Sequence, residues 1–371
     1  MDFDFNDDQE QLRAAVRKWV DKAYPFERRR AIAASGGFAA DAYQELAELG
    51  LCGLYVPQSM GGMGMGPVEA MVALEELGRG IVLEPLPQAL IAGAVVSQHA
   101  PEALARLWCP AIASGEKIVA LAYLERAGRY RLDRCATSAI RQDGGWTVSG
   151  SKSLVAAGDK ADAFLVSAVH DGGQALFLVE RSSPGVQVRG YGTLDGGRAA
   201  ELVLQQAVAQ LVSTQGLEVL EHAVDIGIAA TCARAVGVMD QTLAITVQYM
   251  QTRKQFGVAI GSFQALRHRV ADMKMQLELG RSMSYYATLK LAAPPAERRA
   301  AMARAKFQLG QSMRHVGQQA IQIHGGIGMT DEYIVGHYFK CLTQMELEFG
   351  DSMFQLGEVS ARMQDTAGVF A

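Results

Sequence analysis

The sequence Y-M-Q-T-R-K-Q-F-G-V-A-I-G-S-F-Q occupies Tyr249–Gln264 and joins two long segments that carry apolar stripes. In the segment before it, apolar side chains between Leu220 and Leu243 recur every three or four residues, which predicts one long helix that ends near Thr252. The segment after it predicts a second helix that runs toward Lys290, and Pro294-Pro295 ends that pattern. We therefore expect Tyr249–Gln264 to be a short connection between two antiparallel helices.

This connection carries side chains suited to a phosphate or a nucleotide. The Arg253 guanidinium presents a planar fork of donors that fits a phosphate bidentately. The Phe256 ring can lie against a nucleotide base, and the Gln264 amide can hydrogen-bond the edge of one. Since arginine and glutamine in a helix connection are commonly just solvated, a plain surface loop is the alternative interpretation.

A second stretch, Gln322-Ile323-His324-Gly325-Gly326-Ile327-Gly328-Met329-Thr330, follows the third long helix of this region. Its glycines let the backbone approach a ligand closely, and free N–H groups there can donate to phosphate oxygens. A glycine-rich helix cap is the alternative. We expect His324 to be a packing or capping residue rather than a base.

The chain divides into three blocks of different hydrophobic periodicity. The first block is helical, with Asn6 as an N-cap and Pro67 at the start of a later helix. From about Lys117 the pattern changes to short β-rich runs separated by Asp-Gly-Gly turns at Asp143, Asp171 and Asp195. The predicted strands are Ile118–Tyr123, Trp146–Ser149, Ala163–Val169, Ala175–Val179, Val186–Val188 and Ala200–Leu204. Helices, strands and helices in series argue against alternating βαβ units. We predict a mainly α fold with a β middle domain: an N-terminal helical domain (1–115), an antiparallel β-barrel or sandwich (116–212) and a C-terminal four-helix bundle (213–371).

Composition excludes several functional classes. The 371 residues are 49% apolar and 20% charged with a net charge of −4, which is typical of a soluble globular protein and gives no reason to expect nucleic acid or a membrane as partner. We expect no apolar run long enough to span a bilayer, and the start lacks the order of a signal peptide. The scattered cysteines lack metal-binding spacing, so we expect reduced thiols, no metal and a cytoplasmic location: Cys52, Cys109, Cys135, Cys232 and Cys341.

Taken together, R-K-Q-F-G-x-x-I-x-x-F-Q from Arg253 and Q-I-H-G-G-I-G-M-T from Gln322 resemble the acyl-CoA dehydrogenase family. The resemblance implies FAD-dependent α,β-dehydrogenation of an acyl-CoA thioester, with a glutamate as base and an electron-transfer flavoprotein as electron acceptor. It also implies an oligomer in which FAD lies at a subunit interface. The residues that it assigns to the adenosine and pyrophosphate end of a neighbouring subunit's FAD are Arg253, Phe256, Gln264, Gln322, Gly325 and Gly326.

The chain departs from the family pattern where the chemistry takes place. Phe349 stands at the position of the usual glutamate base, and Gly227 stands at the family's alternative position. On the flavin-ring side, Leu124–Tyr130 replaces the T-E-P-G-x-G-S-D motif, and Leu154–Gly158 replaces the W-x-T-N-G motif. No catalytic residue is therefore assigned.

This asymmetry suggests the non-catalytic subunit of a heteromer, for example α2β2, which completes the FAD site of a partner that carries the catalytic glutamate. A narrower similarity to small subunits of pimeloyl-CoA and steroid side-chain acyl-CoA dehydrogenases suggests a bulky, cyclic or dicarboxylic acyl chain, in fatty acid or steroid catabolism. Two alternatives remain. One is a homo-oligomeric enzyme with a relocated carboxylate base, and the other is a flavin-free scaffold subunit. The candidate relocated carboxylates are Glu348, Asp351 and Asp225.

Overall fold

The computed structural model describes residues 5–142 and 144–366. The predicted turn residue Asp143 therefore lies outside the described residues. The helices are α1 (Asp7–Ala23), α2 (Phe26–Ala34), α3 (Ala40–Glu48), α4 (Pro67–Arg79), α5 (Leu86–His99), α6 (Glu102–Ala113), α7 (Gly216–Thr252), α8 (Gln264–Lys290), α9 (Pro295–His324), α10 (Ile334–Leu347) and α11 (Ser352–Thr366). The strands are β1 (Val119–Ala122), β2 (Ser138–Gln142), β3 (Gly145–Ala156), β4 (Ala163–His170), β5 (Gly173–Glu180), β6 (Val186–Gly192), β7 (Arg198–Ser213), β8 (Lys254–Gln255) and β9 (Val258–Ala259).

The predicted helix starts are confirmed. Asn6 caps α1, because its side-chain oxygen accepts a hydrogen bond from the Gln9 backbone N–H at 2.9 Å. The Gln9 side chain in turn accepts from the Asn6 N–H at 3.1 Å, which completes a capping box. Pro67 is the first residue of α4. The order of helices, then strands, then helices is the predicted fold class.

One compact unit comprises residues 31–70 and 83–227 and contains the β-structure. Successive pairings of β4, β2, β3, β7 and β5 return to β4, so these strands form a closed barrel, and β6 adds to β7. Most pairings are antiparallel, as predicted. Two are parallel, namely β1 with β4 and a single register pair of β2 with β4, Ser138 and Val169. The core of the barrel comes from β4 and β5, whose central residues are buried.

Two strands of this barrel are much longer than their sequence patterns predict. The pattern marked Trp146–Ser149 and Ala200–Leu204, whereas β3 has 12 residues and β7 has 16. The register of β3 against β7 shifts between Val148 and Gly150 and again between Lys152 and Val155. Such bulges interrupt the alternation of buried and exposed positions from which strands are recognised in a sequence.

The other compact unit comprises residues 1–30, 71–82 and 228–371 and is helical. Helix α9 lies at its centre and packs against α8, α10 and α11. The Met239 side chain of α7 packs against Gly280 of α8, because a Cβ atom at Gly280 would meet the Met239 methyl group at 3.0 Å. The predicted bundle helices are all present. Helix α10 is an addition that the sequence pattern did not indicate.

Helix α7 also corrects one expectation. By length and composition alone it is long and apolar enough to cross a membrane, although we expected no such segment. However, 89% of its most apolar window is buried inside the protein. Helix α7 therefore behaves as a core helix, whose apolar residues are used in packing.

Candidate functional site

The connection between α7 and α8 is a tight hairpin. Strands β8 and β9 pair, and the two residues between them, Phe256 and Gly257, have φ angles of 54° and 82°. Positive φ at both central positions is the geometry of a type I′ turn, which matches the twist of a hairpin. The Ile260 N–H donates to the Arg253 carbonyl at 2.8 Å and closes the base of the loop. The Phe256 ring is held out at the tip and is 91% exposed.

The glycine-rich stretch begins where α9 ends. Gly325 has a φ of 62°, and residues Gly325–Met329 form a single 3₁₀ turn. A Cβ atom placed on Gly325 or Gly326 would meet no atom within 4 Å. The backbone of this turn is therefore open on one side, as close approach by a ligand requires.

One ring contact joins the two stretches. The Tyr249 ring, in the last turn of α7, stacks on the His324 ring with centroids 4.4 Å apart and planes inclined by 27°. The Tyr249 hydroxyl also donates to the His324 carbonyl oxygen at 3.4 Å. Because Arg253 lies one turn after Tyr249 and Gly325 follows His324, this contact brings both candidate sets into one site on the helical unit.

The polar ends of this site are available to a ligand. The Arg253, Gln264 and Gln322 side chains are exposed, and none is hydrogen-bonded or ion-paired to another residue in the described part of the chain. A dinucleotide needs donors for its phosphates and a surface for its base. The site offers both: a guanidinium, two amides and an open glycine turn as donors, and an outward phenyl ring as the surface. Each residue predicted to contact FAD is thus placed where it fits that group, although contact itself stays a prediction.

Two of the candidate carboxylates are hydrogen-bonded to other residues of the helical unit. The Glu348 carboxylate accepts from the Thr231 hydroxyl at 3.1 Å, and the Asp351 carboxylate accepts from the Phe354 N–H at 2.8 Å as a helix cap. Asp225 is fully buried and belongs to the other compact unit.

The connection between α10 and α11 keeps a fixed shape around Phe349. Phe349 has a φ of 55°, and its carbonyl accepts from the Gln355 amide at 2.8 Å. The Lys306 ammonium group, which is fully buried, donates to the Met345 and Glu346 carbonyls at 2.9 and 2.8 Å. Burial lowers the pKa of Lys306, and the helix C-terminus favours its positive charge. The loop that holds the family's usual base is thus well anchored, with a phenyl ring in that place.

On the β-rich unit, the segment Leu124–Tyr130 is anchored by Glu125. The Glu125 carboxylate accepts from the Lys152 ammonium at 2.8 Å, the Thr137 hydroxyl at 2.7 Å and the Ala136 N–H at 2.7 Å. Burial opposes ionisation, but these donors outweigh it and hold the pKa of Glu125 at about 2.

The segment Leu154–Gly158 keeps an unusual backbone without polar side chains. Leu154 and Ala157 have φ angles of 53° and 54°, in the left-handed region that favours asparagine and glycine. The Leu154 side chain is 58% exposed. Beside it lies a cleft of about 570 Å³ that includes Arg126, Ser153 and Glu201. The Glu201 carboxylate already accepts from Ser153 at 3.0 Å and from Arg126 at 3.4 Å, so these side chains hold one another.

No group of three or more His, Cys, Asp or Glu side chains in residues 5–142 and 144–366 is arranged to hold a metal ion. None of the five cysteines, all of which lie in the described part of the chain, forms a disulfide bond.

Sequence comparison decides the family. Models of the acyl-CoA dehydrogenase N-terminal, middle and C-terminal domains match residues 6–116, 120–207 and 214–364. The chain belongs to the acyl-CoA dehydrogenase family. Members of this family are oxidoreductases that bind FAD, and the resemblance carried by the Arg253 and Gln322 stretches is thereby confirmed. The boundaries of our three domains stay predictions.

Two curated relatives match most of the chain. The chain is 29% identical to acyl-CoA dehydrogenase FadE27 of Mycobacterium tuberculosis over 89% of each chain. It is also 29% identical to benzylmalonyl-CoA dehydrogenase of Aromatoleum aromaticum, over 92% of this chain and 93% of that one.

Two similar solved structures are complexes. The ChsE4–ChsE5 complex of Mycobacterium tuberculosis contains a chain with 27% identity and a TM-score of 0.90, and the match covers 99% of this chain and 100% of that one. A variant of the Tcur3481–Tcur3483 steroid ACAD gives 27% identity and a TM-score of 0.90, with 97% and 99% covered.

The structure adds residues that the motifs did not assign to the site. No sequence motif marks Tyr249 or Thr231, because their hydrogen-bond partners are far away in the sequence. Tyr249 donates to His324, and Thr231 donates to Glu348. Lys306 looked like one more charged residue of a helix, although its ammonium group is buried. His324 was expected to pack or cap, and it packs.

Proposed function

We propose that this chain is the non-catalytic subunit of a heteromeric, FAD-dependent acyl-CoA dehydrogenase. It completes the FAD site of a partner subunit, a second acyl-CoA dehydrogenase-type chain that has a glutamate where this chain has Phe349. The observation that supports this most strongly is the contrast within the helical unit. Arg253, Gln264 and Gln322 are exposed with polar ends that no described residue occupies, whereas Phe349 fills the position of the base.

In this proposal each residue of the site has one task toward the FAD of the partner. The Arg253 guanidinium binds the pyrophosphate bidentately, and the open N–H groups at Gly325 and Gly326 donate to its oxygens. The Phe256 ring packs against the cofactor, and the amides of Gln264 and Gln322 bind the adenosine end. FAD, when bound, supplies the acceptor for the β-hydrogen of the substrate.

A proton must also leave the α-carbon of the acyl-CoA, and this requires a positioned base. Phe349 and Gly227 cannot accept a proton, since a phenyl ring and a hydrogen atom lack a basic atom. Leu154–Gly158 offers only apolar side chains toward a flavin ring edge. We therefore assign the base and the flavin-ring contacts to the partner.

The similarity to a steroid ACAD and to benzylmalonyl-CoA dehydrogenase supports a bulky acyl-CoA substrate. We propose an α2β2 assembly in the cytoplasm, with an electron-transfer flavoprotein as acceptor. The free thiols agree with a reducing compartment.

The test is co-expression with the partner subunit, followed by measurement of flavin absorbance per complex. Arg253→Ala removes a charge-assisted bidentate contact worth roughly 1.5–3 kcal/mol, so FAD affinity should fall about 10- to 150-fold. Arg106→Ala is the matched control, because Arg106 is an exposed arginine that pairs only with Glu102 one turn away within the described residues. Unchanged FAD content in the Arg253→Ala complex would favour the flavin-free scaffold instead.

A second candidate function is a homo-oligomeric enzyme with Glu348 as a relocated base. One observation favours it: Glu348 is hydrogen-bonded to Thr231, which follows Gly227 by one turn on the same face of α7. If the chain alone bound stoichiometric FAD and oxidised acyl-CoA, and Glu348→Gln abolished that activity, the heteromer proposal would fail.

A further inference from the structure

The His324 ring lies at the junction of the two stretches that form the proposed FAD site. It is the last residue of α9, and only 3% of it is exposed. Tyr249 stacks on one face, and the Tyr333 ring lies at 5.3 Å, inclined by 47°. Tyr249 is tied to the hairpin, because the Arg253 N–H donates to the Tyr249 carbonyl at 2.8 Å. His324 therefore contacts the helix turn that leads into the hairpin and directly precedes the glycine turn.

The hydrogen bonds of His324 fix its protonation state. Nδ1 lies 2.8 Å from the Ala320 carbonyl oxygen, which can only accept, so Nδ1 carries the proton. Nε2 is then an acceptor, and this buried atom has no hydrogen-bond partner within the described residues. Burial lowers the pKa of His324, and the bond to Ala320 opposes that shift. The titratable groups that face the ring are the Tyr249 and Tyr333 phenols, and no ion pair to it is found in residues 5–142 and 144–366.

We propose that His324 is a positioning residue: its neutral imidazole, stacked on Tyr249, holds the Arg253 hairpin and the Gly325 turn at the spacing that a dinucleotide requires. This inference rests on the proposed function for its ligand, FAD, but the stack and its titration belong to this chain alone. A proton on Nε2 would be a buried donor without an acceptor, so acid should open the stack. Opening separates the two halves of the site and releases FAD.

The direction of the pH effect follows from linkage. A histidine with a lowered pKa binds its proton more readily in the unfolded chain, whose ordinary pKa is about 6.5. The stability contributed by neutral His324 is therefore fully present above about pH 6.5 and is lost as the pH falls toward the lowered pKa of the folded state. When the unfolded chain binds one more proton than the folded chain, the unfolding equilibrium constant changes about tenfold per pH unit, which is the largest effect that one histidine can have.

The key variant is His324→Phe, whose ring keeps the stack but cannot take a proton. In urea unfolding of the full chain without partner, we expect the wild type to lose more stability between about pH 8 and pH 5.5 than His324→Phe does. His268→Phe is the matched control, because His268 is an exposed histidine of α8, and it should follow the wild type. Equal pH dependence of wild type and His324→Phe would overturn the inference.

The second measurement uses the complex with its partner and follows retained flavin absorbance. We expect FAD loss on acidification in the wild type, retention in His324→Phe, and a severalfold loss at about pH 8 in His324→Ala, where no ring remains. FAD retention by His324→Ala equal to wild type would overturn the positioning role. If Arg253→Ala also kept its FAD, the proposed function would fail independently, while the unfolding data would still decide whether His324 titrates as inferred.

Discussion

Replacing Glu125 by glutamine tests how the barrel holds the Leu124–Tyr130 segment. The Lys152 ammonium group has no exposed surface, and its charged partner is the Glu125 carboxylate at 2.8 Å. Within the described residues, the remaining hydrogen-bond partners of that ammonium are the Ser167 hydroxyl at 3.0 Å and the Cys135 sulfur at 3.6 Å. Glu125→Gln therefore leaves a buried positive charge with only neutral partners.

Two arguments give a similar loss in the free energy of unfolding for Glu125→Gln. The folded state holds the pKa of Glu125 at about 2, against an ordinary value of 4.5. At about 1.36 kcal/mol per pKa unit, that difference contributes about 3 kcal/mol at neutral pH. Removing one partner of a buried ion pair costs about 3–5 kcal/mol in general. We expect Glu125→Gln to lower the free energy of unfolding by about 3 kcal/mol at neutral pH.

The sign of the pH dependence gives a second check. A carboxylate with a depressed pKa contributes stability that is present above its unfolded pKa and is lost as the pH falls through its folded pKa. The difference between wild type and Glu125→Gln should therefore shrink from about pH 4.5 toward pH 2.

The assay is urea unfolding, with the double variant Glu125→Gln/Lys152→Met included. The double variant removes both charges and should recover part of the loss, because the buried ammonium is gone. Glu102→Gln is the matched control: its ion pair with Arg106 is exposed, so the change should stay within about 0.5 kcal/mol. The reasoning is refuted if Glu125→Gln stays within about 1 kcal/mol of wild type at neutral pH. It is also refuted if the double variant loses as much free energy of unfolding as Glu125→Gln and Lys152→Met lose in sum when each is measured alone.

Three further outcomes are expected. Leu154→Asn should stabilise the chain by about 0.5–1 kcal/mol, seen as a higher thermal midpoint, because asparagine tolerates the φ of 53° at this exposed position better than leucine does. Phe349→Glu should give no acyl-CoA oxidation by the chain alone, since Leu154–Gly158 still lacks donors for a flavin ring; measurable turnover with added FAD would contradict this. Phe256→Ala should leave the free energy of unfolding within about 0.5 kcal/mol of the wild-type value, because the ring is 91% exposed. The same variant should lower the flavin absorbance of the complex. A parallel fall in stability would point to a structural role instead.

The sequence predicted the long helices well, because their stripes are regular and their ends carry distinct signals. The apolar spacing placed the end of α7 near Thr252, which is its last residue. Strand β2 was missed, since four of its five residues are exposed and it lacks a regular alternation. Helix α10 was missed because its 14 residues carry no end signals: Tyr333 makes no side-chain capping bond, the first turn has no acidic residue, and the last turn has no basic residue.

For the site, local motifs identified the ligand-facing residues but not what holds them together. Arg253 and Gln322 are recognisable from their neighbours in the sequence. The stack of Tyr249 on His324 joins positions 75 residues apart, and only the packing of α7 against α9 creates it. The same holds for Lys306, whose burial under the α10–α11 connection depends on tertiary structure rather than on local pattern.

The exposed Phe256 ring at the hairpin tip also has a consequence for the chain before it assembles with another subunit. Phe256 projects on a rigid turn with almost all of its surface in water. Val258 and Phe263 of the same connection are also exposed, so the ring belongs to a small apolar patch of the kind that association covers. Under the proposed heteromeric assembly, copies made in excess of the partner would keep this patch in water and be more open to degradation, so the lifetime of the chain in the cell would report how much partner is present.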